Sequence, residues 1–318
     1  MEQISAAPQT LQQAILYFGD LDRCHAFLAA QRWPDGKVKC PQCGSEAVTF
    51  LATQKRWKCR TQHPRQQFSI KVGTIFEDSP IGLDKWLVAM WMLANSKNGI
   101  SSYEVGRALG VTQKTGWFML HRIRLAMEDR GITILRGKVE ADEAYIGGRV
   151  SNMHKVKRAG RRASGIHTKA VVLGILERGG RVRARVMPGP GVTRKQVTEN
   201  IEWFVERGAE VMTDGSQAYA ALGDKQRFIH QFVDHINEYV RGAVHTNGIE
   251  NFWALLKRGL KGTYVSTEPF HLHRYVDEQA WRFNERKTND GSRFVRALRT
   301  ILGRRLTYGQ LTGAVATT

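Results

Sequence analysis

The chain has 318 residues, with 48 lysines and arginines against 29 aspartates and glutamates, which gives a formal net charge of +19. Such an excess of positive charge favours a polyanionic partner. Nucleic acid is preferred to an anionic membrane surface, because no segment forms a basic amphipathic helix with an uncommitted apolar face. The hydrophobic content of 42% excludes a wholly disordered chain, and the length allows two or three domains.

No segment is expected to cross or anchor in a membrane. The most apolar run, residues 86–94, has nine residues, whereas a membrane span needs about 20. The N-terminus lacks the basic segment and following apolar run of a signal peptide. We therefore expect a cytoplasmic, nucleoid-associated protein that has no membrane partner.

Residues 1–36 are predicted to contain one helix, from about Leu11 to Gln31. It is expected to end at the turn that Pro34 and Gly36 form. Cys24 lies inside this helix, and a single helical cysteine is usually a small buried apolar residue. We expect that role for Cys24.

Three cysteines and one histidine in residues 37–80 have the spacing of a zinc ribbon. Cys40 and Cys43 form a CxxC knuckle, and Cys59 is followed four residues later by His63. Tetrahedral zinc takes four thiolate or imidazole donors, so these residues predict a site of three cysteines and one histidine that holds structural Zn²⁺. The alternative is a small β unit with three reduced cysteines, which would also fit a reducing compartment.

Residues 81–135 are predicted to be helical and to contain a helix-turn-helix. Ser101 and Glu104 form a capping box at the start of its first helix, and Thr112 caps its second helix. The exposed start of the second helix would then reach base edges or phosphates. The residues in that position are Gln113, Lys114, Thr115 and Trp117. An ordinary helical bundle with a glycine turn is the alternative.

From Gly137 the pattern changes to strands, in the order β-β-β-α-β-α-β-α. Three strands in succession, followed by strands that alternate with helices, predict an α/β fold with a mixed sheet covered by helices. The predicted segments are strands near residues 137–148, 168–180, 181–189, 209–215 and 225–233, a helix from Thr193, a short helix at 216–223 and a final helix from Gly248.

A long basic insertion, residues 149–169, separates the first two of these strands. No acidic residue occurs between Ala144 and Leu176, so the loop repels itself and is expected to bind a phosphate backbone. Its basic residues are Arg149, Lys155, Lys157, Arg158, Arg161, Arg162 and Lys169. The alternative is a solvated loop without a partner.

Three acidic residues stand where a sheet of this kind holds an active site. Asp142 lies in the middle of the first strand, Asp214 at the carboxyl end of the fourth and Glu250 on the final helix. Acids from distant segments can converge to hold two divalent ions, and Mg²⁺ prefers a few carboxylates together with water and phosphate oxygens. Each acid taken alone would more commonly be a cap, a turn residue or an ion-pair partner.

The final helix places charge beside a buried stripe. Glu250 and Lys257 are seven residues apart, so they differ by only about 20° around an α-helix, and Lys261 lies close to the same line. The apolar positions with the recurrence of a core-facing stripe are Ile249, Phe252, Trp253, Leu256 and Leu260. The alternative for Glu250 and Lys257 is a surface charge pair.

Taken together, these motifs resemble the DDE-class bacterial insertion-sequence transposases of the ISXO-like group, which have an N-terminal zinc ribbon. The matching segments are RWPDGKVKCPQCGS, FSIKVGTIF, VEADEAYIGG, VMTDGSQAY, HTNGIENFWALLKRGLKGTY, EQAWRFNER and LTYGQL, and they span roughly residues 20–312. The chain departs from the family in the ribbon, where members commonly have a second CxxC and this sequence has CRTQH. His63 would replace the missing cysteine.

This resemblance implies an RNase H-like catalytic domain with Asp142, Asp214 and Glu250 as ligands of Mg²⁺ or Mn²⁺. It also implies that Lys257 contacts DNA near the scissile phosphate. Relatives vary in the third metal ligand, and the candidates here are His245, Asn247 and Glu250. Helix geometry favours Glu250, which shares a line with Lys257, and Asn247 is a further candidate for orienting the phosphate.

The expected function is that of a transposase that binds the terminal inverted repeats of its element and joins a freed 3′ end to target DNA. It would act on double-stranded DNA as a homo-oligomer. The predicted segments are an N-terminal helix (1–36), zinc ribbon (37–80), helix-turn-helix domain (81–135), catalytic domain (136–290) and basic C-terminal helix and tail (291–318). The alternatives are a catalytically silent DNA-binding regulator and a nuclease or resolvase that does not join strands.

Overall fold

The computed structural model describes residues 7–131, 133–148, 169–189, 191–220, 222, 227–233 and 245–314. It divides into two compact units. The first unit comprises Met1–Met127 together with Lys287–Thr318, and the second comprises Glu128–Arg286. None of the helices in the described ranges is long and apolar enough to cross a membrane.

The N-terminal region of the first unit forms two helices, α1 (Leu11–Phe18) and α2 (Leu21–Arg32). The prediction of one helix up to Gln31 is therefore wrong. Asp20 adopts an extended conformation, and its side chain accepts hydrogen bonds from the backbone N–H groups of Asp22 and Arg23. It therefore caps a new helix. Cys24 is buried, as predicted, and burial raises the pKa of its thiol to about 12.

The ribbon segment forms a three-stranded antiparallel sheet. Its strands are β1 (Val48–Leu51), β2 (Arg56–Cys59) and β3 (Gln67–Ser69), in that spatial order. Trp57 on the central strand contacts the rings of Trp33 and Phe68, at centroid distances of 5.2 and 5.9 Å. This aromatic contact gives the small sheet its own core.

Three helices follow, α3 (Leu83–Asn95), α4 (Ser102–Leu109) and α5 (Gln113–Met127). The capping box predicted for α4 is confirmed, because the Ser101 hydroxyl accepts from the Glu104 N–H and the Glu104 carboxylate accepts from the Ser101 N–H. These bonds satisfy backbone donors at the helix start and fix where α4 begins.

The turn between α4 and α5 is tight. Gly110 takes a positive φ of 60°, and the Thr115 N–H donates to the Thr112 hydroxyl, so Thr112 caps α5 as predicted. Trp117 was expected at an exposed helix start, and that expectation is wrong. Its side chain is half-buried and packs in a cluster with Leu125, Leu306 and Leu311.

The second unit contains a five-stranded mixed sheet. Its elements are β4 (Lys138–Ile146), β5 (Ala170–Glu177), β6 (Val182–Met187), α6 (Arg194–Phe204), β7 (Glu210–Asp214), β8 (Ile229–Val233), α7 (Asn247–Arg258) and α8 (Leu272–Asn284). The strand order is β6-β5-β4-β7-β8. β4, β5 and β6 are antiparallel neighbours, whereas β4, β7 and β8 are parallel. The predicted α/β class and the mixed sheet are confirmed.

Helices pack on both faces of this sheet. α7 and α8 cover the face that includes Ala144 of β4, and α6 covers the face that includes Ala141. Because side chains alternate along a strand, Asp142 shares the α7 face with Ala144, and Glu143 shares the opposite face with Ala141. The stripe predicted for the final helix is confirmed, since all five of its apolar residues are buried.

α7 does not end in an ordinary cap. It continues into a five-residue π turn, Gly259–Thr263, which closes with a hydrogen bond of 3.1 Å from the Tyr264 N–H to the Gly259 carbonyl. The chain then passes through a short 3₁₀ turn, Pro269–His271, into α8. A π turn closes an i to i+5 bond, so residues within it leave the angular phase of the preceding α-helix.

The last two helices, α9 (Asp290–Arg299) and α10 (Tyr308–Thr312), belong to the first unit. Phe294 of α9 packs against Phe18 and Phe27, with ring centroids 5.6 and 6.0 Å apart. The C-terminal segment thus completes the core that α1 and α2 begin.

Candidate functional site

The four donors predicted for zinc lie together in the ribbon. The ligand atoms of Cys40, Cys43, Cys59 and His63 are all within 4.8 Å of one another. Cys40 Sγ lies 3.4 Å from His63 Nε2, and Cys43 Sγ lies 3.7 Å from Cys59 Sγ. Among the described residues, these four form the group of cysteine, histidine and acidic side chains whose ligand atoms lie close enough together to hold one ion.

The chemistry of these donors also fits zinc. His63 Nδ1 lies 2.8 Å from the Pro64 carbonyl and can donate to it, and this hydrogen bond, with that to Cys59, raises the pKa of the imidazole to about 9. Zinc would replace the proton on Nε2, the nitrogen that faces Cys40. Burial opposes ionisation of the Cys59 thiol, but hydrogen bonds with His63 and Thr61 outweigh it and lower its pKa to about 6. Since thiolate is the metal-binding form of cysteine, the residues present fit a structural zinc ion.

Two of the predicted carboxylates belong to adjacent parallel strands. β4 and β7 pair Val139 with Val211 and Glu140 with Met212. Asp142 lies two residues beyond the last of these pairs on β4, and Asp214 lies two residues beyond it as the last residue of β7. The sheet therefore brings together two acids that are far apart in the sequence.

Asp142 is held by two donors. Its Oδ1 accepts from the backbone N–H of Glu143 at 2.8 Å, and its Oδ2 accepts from Nε1 of Trp253 on α7 at 2.9 Å. Burial, together with the negative charges of Asp214 and Glu250, raises the pKa of the Asp142 carboxyl to about 6. Asp142 therefore lies close enough to each of the other two predicted acids to feel its charge, although the three do not form one tight ligand group in the described structure.

Glu250 lies in the first turn of α7 with an exposed side chain, and its Oε1 accepts from the Thr246 hydroxyl at 2.8 Å. The other two candidates for the third ligand lie differently. Asn247 is exposed at the first position of α7, and His245 Nδ1 is 3.5 Å from a carboxylate oxygen of Glu140. Of these three residues, Glu250 is the one whose charge affects Asp142.

Lys257 and Lys261 are both exposed. Lys257 is in the last turn of α7, as predicted, but Lys261 falls within the π turn. The expectation that Lys261 lies close to the line of Glu250 and Lys257 stays a prediction, because the π turn changes the angle between successive residues.

A buried ion pair at the start of α7 was not predicted. Glu140 is 1% exposed on β4, two residues before Asp142. Its carboxylate accepts from Arg178 Nε at 2.7 Å and from the Ile249 N–H at 2.9 Å, while Arg178 Nη2 donates to the His245 carbonyl at 2.6 Å. These bonds fasten the N-terminal end of the helix that bears Glu250 to the strand that bears Asp142. An acid in a strand with buried neighbours was the available signal.

A second pair on the opposite face connects β4 to the turn that follows Asp214. The hydroxyl of Tyr219, which is fully buried, donates to Glu143 Oε2 at 2.6 Å. Burial, with the charges of Asp214 and Asp142, raises the pKa of the Glu143 carboxyl to about 7. Two acids close to Asp142 in sequence therefore connect β4 to its neighbours. Glu140 bonds to the start of the helix that carries Glu250, and Glu143 bonds to the turn that follows Asp214.

The predicted DNA-contacting residues at the start of α5 are partly engaged within the protein. Gln113 and Lys114 are exposed and Thr115 is half-buried. Gln113 Nε2 donates to the Ser102 hydroxyl at 2.8 Å, and Lys114 Nζ lies 5.0 Å from the centroid of the Tyr308 ring. The insertion residues Arg149, Lys155, Lys157, Arg158, Arg161 and Arg162 lie outside the described residues.

Comparison with known proteins gives matches over both regions. Residues 134–284 match the ISXO2-like transposase domain, and residues 20–61 match the transposase zinc-ribbon domain. The first match includes all three predicted acids, and the second includes the three ribbon cysteines but ends before His63.

A curated relative supports the same grouping. It is an uncharacterized protein in transposable element ISH50 from Halobacterium salinarum, and it is 28% identical over 251 residues, covering 75% of this chain and 82% of the relative. The resemblance predicted from the motifs is confirmed: the chain is similar to ISXO2-like transposases over residues 134–284 and to transposase zinc ribbons over residues 20–61.

Proposed function

We propose that the protein is a transposase that binds the terminal inverted repeats of an insertion sequence, nicks a strand and joins the freed 3′ hydroxyl to target DNA. The observation that carries this proposal is that Asp142 and Asp214 lie on the neighbouring parallel strands β4 and β7, and that the charges of Asp214 and Glu250 both raise the pKa of Asp142. The match to a transposase domain over the same residues supports it. The sheet order, three antiparallel strands extended by two parallel ones, supports an RNase H-like fold for this part of the chain.

The donors of the acidic site fit Mg²⁺ or Mn²⁺. Carboxylate oxygens are the ligands that such ions prefer, and the raised pKa of Asp142 reflects its burial and the crowding of like charges around it. Asp142, Asp214 and Glu250 would hold the ions. When bound, two such ions would activate the attacking water or hydroxyl and stabilise the leaving oxygen of an in-line phosphoryl transfer.

The remaining residues of the site position the nucleic acid. Lys257 is exposed at the end of α7 and would pair with a phosphate near the scissile bond, with Asn247 as a further hydrogen-bonding group. Lys261 would contact the DNA backbone. These side chains supply positive charge and orientation, which is most of what a protein contributes to phosphoryl transfer.

Recognition of the element ends is assigned to the first unit and to the basic insertion. The zinc-loaded ribbon and the start of α5, with Gln113, Lys114 and Thr115, would contact the terminal repeats. The insertion would bind backbone phosphates through Lys155, Lys157, Arg158, Arg161 and Arg162. Transposition joins two ends, so we propose that the protein acts as a homo-oligomer on DNA.

The test uses Asp214→Ala and, as a matched control, Glu199→Ala on the exposed surface of α6. End binding is measured by gel shift, and Mg²⁺-dependent nicking and joining are measured on labelled end DNA. We expect Asp214→Ala to bind ends like the wild type but to lose about 1,000-fold or more in nicking rate, since several kcal/mol of transition-state stabilisation are removed. Glu199→Ala should retain both.

Three results would count against the proposal. Retained nicking in Asp214→Ala would remove Asp214 from the site. A wild-type chain that binds ends but does not nick in either ion would be a catalytically silent regulator. Nicking without joined product would indicate a nuclease or resolvase.

A further inference from the structure

We propose that Trp253 is a positioning residue that orients the Asp142 carboxylate for metal binding, a role that rests on the function proposed above. Trp253 is 4% exposed, and its Nε1 donates to Asp142 Oδ2 at 2.9 Å. Because α7 also carries Glu250, the same helix supplies one acid of the site and the hydrogen bond that orients another.

The opposite strand is shaped to admit this indole. Gly174 on β5 pairs directly with Asp142 on β4. A Cβ atom added at Gly174 would lie 2.6 and 2.7 Å from two indole carbons of Trp253 and 2.8 Å from Ile249 Cδ1. Gly174 does not take a positive φ, so its backbone does not require glycine. Its lack of a side chain is explained by the close approach of the ring.

The two donors to Asp142 leave the carboxylate able to bind an ion. A carboxylate offers about four lone-pair directions on two oxygens. The Glu143 N–H takes one on Oδ1, and the Trp253 indole takes one on Oδ2. Each oxygen therefore keeps acceptor capacity while the plane of the group is fixed. Partners that orient metal-binding side chains typically change metal affinity or activity by about 10- to 100-fold when they are removed.

The competing role for Trp253 is packing alone, since it belongs to the core cluster beneath α7 and α8. Two variants separate the roles. Trp253→Phe keeps an aromatic ring but removes the N–H donor, whereas Gly174→Ala keeps the indole but forces it away from Asp142. Trp281→Phe is the matched control, because Trp281 is half-buried on α8 in the same unit.

The experiment uses the full-length zinc-loaded chain. Mn²⁺ binding is titrated by electron paramagnetic resonance, with Asp142→Asn defining binding at this site, and Mg²⁺-dependent nicking, end binding and thermal unfolding are measured alongside. We expect Trp253→Phe to weaken Mn²⁺ binding and nicking by about 10- to 100-fold while end binding stays within about twofold. Gly174→Ala should also weaken Mn²⁺ binding and nicking, and Trp281→Phe should leave Mn²⁺ binding and nicking unchanged.

Trp253→Phe could unfold at a lower temperature yet keep its Mn²⁺ affinity and nicking rate within about twofold of wild type. That result would show that Trp253 has a packing role alone. Absence of Asp142-dependent Mn²⁺ binding in the wild type would also overturn the proposal. If Mn²⁺ binds at Asp142 and weakens in Trp253→Phe, but no variant or wild type nicks DNA, the transposase assignment fails while the positioning role stands.

Discussion

The ribbon and the acidic site gather their ligands in opposite ways. The ribbon takes all four donors from one short segment, between Cys40 and His63, and they lie within 4.8 Å of one another. The proposed acidic site would take its carboxylates from two strands and a helix, and its elements are joined by contacts outside the three acids, such as Glu140 with Arg178. A structural metal site can have all its ligands within one loop. A site that must admit a substrate leaves ligand positions open, and other residues orient the ligands it has.

The two regions also differ in the direction of the pKa shifts of their ionisable side chains. In the ribbon, hydrogen bonds lower the pKa of Cys59 and favour the thiolate. In the acidic site, burial and like charge raise the pKa values of Asp142 and Glu143 and disfavour the carboxylates. We expect ion removal to unfold the ribbon, because modules of this kind depend on zinc for folding, but not the acidic site, because its strands belong to the five-stranded sheet.

The largest effect is expected from loss of zinc. Cys59→Ser, or chelation, should unfold the ribbon, because zinc binding in such modules contributes on the order of 10 kcal/mol. Hydrogen exchange should show lost protection in β1, β2 and β3 but not in the five-stranded sheet, and metal analysis should show loss of zinc. Cys24→Ser, a buried cysteine outside the cluster, is the control and should keep one zinc. Full ribbon protection in zinc-free Cys59→Ser would remove the contrast between the regions.

The next effect concerns the ion pair that holds α7. Arg178→Met should cost about 3–5 kcal/mol in the free energy of unfolding, because it leaves the Glu140 carboxylate buried without its guanidinium. Arg181→Met is the control, since Arg181 is 47% exposed and its pair with Asp129 is 3.8 Å long, and it should cost less than about 1 kcal/mol. Chemical denaturation measures both. Equal costs would show that the buried pair does not hold the site.

A smaller, pH-dependent effect should appear at Glu143. Its pKa is raised from 4.5 to about 7 in the folded chain, so its stabilising contribution is present below about pH 4.5 and is lost as pH rises through 7. Glu143→Gln cannot ionise and can still accept from Tyr219. In metal-free buffer it should match wild type near pH 5 and unfold at a higher temperature near pH 8.

The control for that comparison is Glu268→Gln, an exposed position, which should show no pH-dependent difference from wild type. Added Mg²⁺ should narrow the gap between Glu143→Gln and wild type if the ion offsets the crowded charge. A gap that is constant across the pH range would contradict burial of Glu143 as the cause.

The smallest effect is expected from exchanging one zinc ligand for another in the ribbon. His63→Cys should keep one zinc and change the free energy of unfolding by about 1 kcal/mol or less, because zinc is ordinarily held either by four cysteines or by three cysteines and a histidine. Asp214→Cys, the parallel change in the acidic site, should abolish Mg²⁺-dependent nicking. Loss of zinc from His63→Cys would show that the ribbon is as sensitive to ligand identity as the acidic site.

Local features of the fold were predictable because local patterns determine them. The stripe on α7 follows from helical periodicity, and the capping box of Ser101 and Glu104 follows from a four-residue motif. The break at Asp20 was missed because the apolar residues continue across it, and a capping aspartate is recognisable only once the helix is known to restart.

The contacts that shape the acidic site were not predictable in the same way. Glu140 meets Arg178 across 38 residues and Ile249 across 109, so only the strand register brings them together. Trp253 has the sequence pattern of a core residue, and only the structure shows that its indole N–H donates a hydrogen bond to Asp142. The three acids were identified from motifs, whereas the side chains that hold them were visible only in three dimensions.

The π turn at the end of α7 has a consequence for comparing this chain with its relatives. A π turn is geometrically equivalent to one extra residue in an α-helix, so the residues after it are rotated by about 100° from the preceding phase. A relative that lacks one residue between Gly259 and Thr263 would run through this region as a continuous helix. A gapless alignment of the two sequences would then equate residues whose side chains face different directions.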